Sequence, residues 1–255
     1  MIRSVLFIVL FIVGADGLLN AQVRFDDSTA AGLALFMPEV QFCVPGGDLA
    51  DRFGPHSKVG LTTAYKTSSN WTFGGTVQMT FGNQVRENDI LDGISTADGA
   101  VIDGNGQYAS VFLNHRGFEA MAEFGRVFKG IGPNINSGLW VQGGAGFVQH
   151  RIQIDNLENR APQLIGDYLK GYDRLTNGMG IMQSVGYLHL SNNRRLNFYV
   201  GLQAGQQWTM SRRSWNFDER AQDTNQRFEW YTGLKLGFIF PAYTKAKYIS
   251  DFYID

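Results

Sequence analysis

His189 and Ser191 stand two residues apart, a spacing that puts both side chains on one face of a β-strand, where the imidazole could take the hydroxyl proton and create a nucleophile. His56 and Ser57, with Asp48 and Asp51 shortly before them, supply a second set of hydroxyl, base and orienting carboxylate. Glu87, Asp89, Asp92, Asp98 and Asp103 gather in one stretch, and Asp103-Gly104-Asn105-Gly106 resembles part of a calcium turn, but the full EF-hand spacing is absent. A further set, Glu39, Lys66, Glu119, Glu123, Arg227, Glu229 and Lys235, mixes both signs of charge within otherwise alternating segments. What these groups can do depends on the elements that carry them.

The segment 227–240 shows most plainly what those elements are. Phe228, Trp230, Thr232, Leu234, Leu236, Phe238 and Phe240 alternate with Arg227, Glu229, Tyr231, Gly233, Lys235 and Gly237. A strand sends successive side chains to opposite faces, so this one lies between an oily medium and a polar, crowded one. A membrane β-barrel meets that demand.

The chain starts with Arg3 followed by the apolar run Val5 to Val13, and Ala21 precedes Gln22, which predicts a signal peptide over 1–21. That run is too short to span roughly 30 Å of hydrocarbon, and no later one is longer. The single cysteine, Cys43, has no partner for an intrachain disulfide. A net charge of −1 and a pI near 6.4 give no footprint for nucleic acid. Beyond the signal, we expect a segment 22–30, a barrel over 31–243 and a tail over 244–255, with both flanks periplasmic.

Alternating segments fall near 31–44, 56–67, 71–82, 107–128, 137–154, 178–191, 196–212 and 227–241, and odd connections are long while even ones are short. This predicts an all-β fold, an eight-stranded antiparallel up-and-down transmembrane barrel with its long loops outside; twelve shorter strands are the alternative count. A soluble barrel around a greasy ligand shares the alternation, but the aromatics decide against it. Tyr65, Trp71, Tyr187, Phe198 and Phe240 would form a girdle at the turn end, and Phe81, Trp208 and Trp230 one at the loop end. Pro241 is expected to end the last strand, and Pro38 to leave a bulged or weakly paired seam.

An eight-stranded barrel is only wide enough for side chains to fill it. The seven charged residues are therefore expected inside as a plug of ion pairs, with Glu119 and Glu123 accepting from Lys66 or Lys235; a gated ion path is the alternative. His189 and Ser191 fall at the turn end, away from the outer leaflet where a lipid deacylase would act, and His56 falls in a loop. No catalytic residue, metal ligand or cofactor is predicted. Lys170, Arg174, Arg212, Arg213 and Arg220 are expected as rim anchors for lipid and lipopolysaccharide phosphates. Loop 155–177 is unusually apolar: Leu164, Ile165, Tyr168, Leu169 and Tyr172, with Lys170, Asp173 and Arg174, either cap the barrel or offer a face to a protein partner.

Ala21-Gln22, the Asp27-Ser28-Thr29 triplet similar to a Bacteroidota O-glycosylation site, the Pro45-Gly46-Gly47-Asp48 loop and the run Lys170 to Leu175 together resemble small outer-membrane β-barrel proteins of that phylum. In architecture the chain is similar to the OmpA transmembrane domain and OmpX, and no peptidoglycan-binding domain is expected after the barrel. The resemblance implies a non-enzymatic structural or accessory role beside envelope machines such as type IX secretion or barrel-assembly machinery, with a lipid-modifying barrel enzyme or a narrow channel as alternatives.

Overall fold

The computed structural model describes residues 30, 32–192 and 196–243. The expected signal, the Asp27-Ser28-Thr29 triplet, most of segment 22–30 and the tail 244–255 lie outside them.

Eight strands follow one another around a closed wall. They are β1 (Leu33–Gly47), β2 (His56–Lys66), β3 (Trp71–Gly82), β4 (Val111–Phe128), β5 (Gly138–Asn156), β6 (Thr176–Leu190), β7 (Asn197–Ser211) and β8 (Gln226–Phe238, continued by Phe240–Tyr243). Each is antiparallel to the next, and β1 closes on β8 from Glu39↔Gly237 to Gly47↔Glu229. Closure removes the sheet edges that would otherwise need partners, except along Phe240–Tyr243 at the turn end. The count is eight, not twelve.

The expected alternation settles each strand's facing. On β3, Thr72, Thr76, Gln78 and Thr80 are buried inside while Phe73, Val77, Met79 and Phe81 are exposed outside. Tyr65, Trp208, Trp230 and Phe240 are exposed on the outer wall, and Trp71, Tyr187 and Phe198 are half-buried there. In aqueous solvent such a belt would be a large exposed apolar surface; in hydrocarbon it is matched.

At Pro38 the seam takes the second of its two expected forms: it is weakly paired, not bulged. The β1–β8 register is the same on both sides of the gap at Met37 and Pro38, so no residue is inserted as a bulge. The ladder lapses because the Pro38 imide has no N–H to donate. Pro241 does not end the strand: it sits opposite Leu35, and Phe240–Tyr243 has a strand neighbour on one side only, an edge where proline is tolerated.

Expected as a loop, Pro45-Gly46-Gly47 instead extends β1. A Cβ at Gly46 would lie 2.0 Å from the Trp230 ring, so only glycine lets that ring lie across the strand, and Gly47, at φ 58°, turns the chain into the short helix α1 (Asp48–Arg52). Gly186 and Gly201 face each other across the β6–β7 ladder, and a Cβ on either would lie within 2.6 Å of Tyr199. Replacing Gly201 with Val should lower the thermal unfolding midpoint, equivalent to about 1–3 kcal/mol of overpacking, because the Tyr199 ring must leave its seat. A midpoint equal to wild type in detergent would refute this.

Candidate functional site: the filled lumen and its loop cap

The interior is stacked in layers along the barrel axis. Nearest the short turns lies an apolar plug of Leu33, Leu35, Met37, Val127, Trp140, Leu188, Leu190, Tyr199 and Ile239. Trp140 is fully buried, its Nε1 donates to Thr72 Oγ1 at 2.9 Å, and its ring meets Tyr199 edge to face at 5.5 Å. The turn-end lumen is thus oilier than the polar interior expected.

Above this plug, Lys235 Nζ lies 3.0 Å from Glu39 Oε2, and both side chains are fully enclosed. Glu39 also accepts from Thr62 Oγ1 at 2.7 Å and Gln78 Nε2 at 2.5 Å. Glu123 accepts from Gln142 Nε2 at 3.1 Å. The next layer holds Lys58, whose Nζ is 2.5 Å from Glu119 Oε1 and 3.3 Å from the centre of the Tyr231 ring. Gln207 donates to the same Glu119 oxygen at 3.0 Å. Buried charges persist only when paired and bonded in this way.

The expected pairings are corrected at two points. Glu119 takes its cation from Lys58, a residue outside the expected set of lumen charges, and Lys235 pairs with Glu39 across the seam. Lys66 sits at the opposite, turn end of β2, where its Nζ donates to Asn136 Oδ1 at 2.8 Å.

At the loop end, α1 dips into the barrel mouth and buries Leu49, Arg52 and Phe53. Phe53 stacks on His115 at 3.8 Å and meets His150 edge-on at 5.6 Å, while His56 lies 4.9 Å from His115. His150 Nε2 is 2.8 Å from Glu229 Oε2, and Arg52 spans from Glu229 (4.0 Å) to Glu87 (2.8 Å). A void of about 10 Å³, the size of one water, separates His56, Lys58, His115, Glu119 and His150.

Neither hydroxyl–imidazole pair forms. His56 is the first residue of β2 and faces inward, so the adjacent Ser57 faces outward. Asp48 Oδ2 accepts instead from the Phe228 amide at 2.8 Å. His189 stacks on Phe198 at 4.9 Å as a rim side chain, and Ser191 lies beyond the end of β6. Asp103 Oδ1 accepts from the Asn105 and Gln107 amides, closing its own turn. Among the described residues no group of three or more His, Cys, Asp and Glu side chains could hold a metal ion.

The long loops form a cap. Leu164 and Tyr172 join Leu49, Phe53, Ile90, Leu91, Val101, Ile152 and Ile154 in one apolar cluster, with Leu169 against it. Arg174 bridges three loops, lying 3.7 Å from Glu87, 2.5 Å from Asp218 and 3.2 Å from Glu219. Arg213 pairs with Asp173, and Arg227 with Asp223. Leu164, Tyr172, Asp173 and Arg174 are therefore buried, not the open partner face considered above, and Arg174 and Arg213 hold carboxylates instead of lipid phosphates. Tyr168 remains outside, as does Lys170, whose Nζ meets Asp167 at 2.7 Å.

Burial pushes the Asp218 carboxyl up, partly offset by Arg174; burial is also the largest influence on Asp223, but the Arg227 bond and charge, the Asn225 amide and the Arg174 charge together outweigh it and hold that carboxyl below the ordinary range. Asp223, lower when folded, stabilises the cap above the ordinary aspartate value of about 3.9 and loses that contribution as pH falls through its folded value. Arg174→Gln should leave Asp218 and Glu219 unneutralised, leave Glu87 to Arg52 alone, and expose the loops. Limited proteolysis near neutral pH should then cut within 157–175 or 212–225 at least several-fold faster, and unchanged protection would refute the latch.

The fold and interior define a class: a closed, up-and-down, eight-stranded β-barrel with an apolar outer belt and a filled lumen. No protein-family model matches the chain, and no curated protein matches it. Among solved structures it is similar to Ail, the attachment invasion locus protein of Yersinia pestis, with 8% identity, 82% of this chain and 99% of that one covered, and a TM-score of 0.44. It is also similar to Neisserial surface protein A (11% identity, 81% and 95% covered, TM-score 0.39) and to the outer membrane protein OprG from Pseudomonas aeruginosa (10% identity, 84% and 97% covered, TM-score 0.35). At such identities the likeness is one of fold.

Proposed function

We propose that this chain is an outer-membrane barrel that acts as a non-enzymatic scaffold or accessory component of an envelope complex, with its signal removed after Ala21, its termini periplasmic and its long loops outside. The observation that carries this reading is the lumen itself, filled from the Trp140 plug through two layers of ion pairs to the loop cap. A filled interior leaves no continuous solute path, and among the described residues the hydroxyls and histidines singled out above do not meet as nucleophile–base pairs. What remains for function is the outside: the lipid-facing wall and the cap.

The cap suits a docking role because its loops are packed on one another and tied by ion pairs. Arg174 and the apolar cluster fix the loops before any partner arrives, so binding need not order them. The side chains left outside, among them Tyr108, Phe112, Leu157, Ile165 and Tyr168, offer aromatic and aliphatic contact area. Protein partners such as secretion or barrel-assembly components fit this reading.

Affinity purification from envelope fractions in mild detergent, with heat-modifiable gel mobility checked on the same sample, tests it. A mobility shift with stoichiometric partners lost on Tyr168→Asp supports a docked scaffold. Recovery from the soluble fraction, or a shifted barrel that hydrolyses or transfers lipid acyl chains, contradicts it.

A further inference from the structure

Arg116 on β4 and Arg151 on β5 stand directly opposite each other in the ladder, and both point out of the barrel at its loop end. Like charges in that arrangement destabilise a sheet. Nothing in the described chain offsets them: neither arginine forms an ion pair, and the diagonal neighbours Asn114, Phe118, Gln149 and Gln153 are uncharged. Asp155, two pleats further along β5, already accepts from Asn114 at 2.7 Å and Gln153 at 2.8 Å.

Arg116 is nevertheless held in place. Its Nη1 donates to the Gly82 carbonyl at 3.1 Å and the His115 carbonyl at 2.9 Å, and its guanidinium carbon lies 5.5 Å from the Phe81 ring centre. Nε and Nη2 are left as a fork with no acceptor among the described residues. Beside it lies a groove of about 470 Å³: Phe42, Ser57 and Phe81 share the level of Arg116, and Val44, Asn83 and Asn114 lie one pleat nearer the long loops.

We propose that Arg116 and Arg151 together hold a phosphate of a lipid A headgroup, with an acyl chain lying on Phe42, Val44 and Phe81. The assignment rests on the outer-membrane reading, which places this end in the lipopolysaccharide leaflet. A phosphate between the two guanidiniums converts a repulsive pair into two charge-assisted forks. The site needs no loop motion, because both arginines lie on barrel strands.

The test uses the full chain refolded in neutral detergent, with heat-modifiable mobility confirming the barrel. Bisphosphorylated lipid A, the same lipid without phosphates, and phosphatidylglycerol are titrated while binding is read by native mass spectrometry. Wild type should bind bisphosphorylated lipid A at least about tenfold more tightly than Arg151→Gln does, the loss of one charge-assisted contact. It should prefer that lipid over the other two. In detergent alone, Arg151→Gln should unfold at the same or a higher temperature than wild type, because the repulsion is gone. Arg126→Gln, at the opposite rim where the guanidinium stacks 4.9 Å from Trp71, should keep its lipid A affinity.

Equal lipid A affinity for wild type and Arg151→Gln would overturn the site. So would an equal loss in Arg126→Gln, which would mark nonspecific attraction, or phosphatidylglycerol binding as tightly as lipid A. A lower midpoint for Arg151→Gln without lipid would make the arginine merely structural and equally overturn the proposal. A chain with no heat-modifiable band removes the outer-membrane reading first, and the site with it.

Discussion

Replacing Lys235 with Met should lower the free energy of unfolding by about 3–5 kcal/mol without making the barrel conduct. Lys235 and Glu39 are both enclosed, and their ion pair spans the seam between β8 and β1. Removing the cation leaves the carboxylate with Thr62 and Gln78 as donors but no counter-charge. An unpaired buried charge costs more than the pair ever contributed, so the double variant Glu39→Gln with Lys235→Met should regain much of the loss. Urea titration of protein folded into vesicles, followed by tryptophan fluorescence, measures all three variants. A single variant as stable as wild type would mean that the pair is not enclosed as described.

Trp140→Ala should cost a similar amount, about 3–5 kcal/mol, for a different reason. No charge is exposed; a cavity opens in the turn-end plug, Tyr199 loses its edge-to-face partner and Thr72 Oγ1 loses a donor. Because the ion-pair layers and the loop cap lie above that plug and keep their own partners, the variant should remain closed to ions while its unfolding midpoint falls. If its conductance rises instead, the upper layers do not seal the lumen.

Much of this arrangement was legible in the chain, and particular residues show why. Alternation in 227–240 gave the facing of β8, and the long-short rhythm of connections gave the topology, because both follow from backbone geometry and not from distant contacts. Lys58 and His56 are legible in the same way: on β2 they share the inward phase of Thr62 and Lys66. His115 has the phase of Glu119 and Glu123 on β4, so its inward facing was equally open to inspection.

What could not be read was which inward charge meets which. That depends on the stagger between strands far apart in sequence, and it set Lys58 rather than Lys66 or Lys235 against Glu119. Nor could alternation foresee that α1 would carry Arg52 and Phe53 into the mouth, since a helix of five residues leaves no periodic trace. Pro45-Gly46-Gly47 looked like a loop for sound local reasons. It is a strand because Trp230, almost two hundred residues away in sequence, needs a bare backbone to lie on.

The central claim is that the lumen is filled and closed, and single-channel recording of the wild-type protein in planar bilayers tests it most directly, with insertion verified by protease protection of the strands. A barrel of this kind should insert and leave the membrane at baseline conductance at every applied voltage tried. Reproducible conductance steps that scale with the number of inserted barrels would contradict the account.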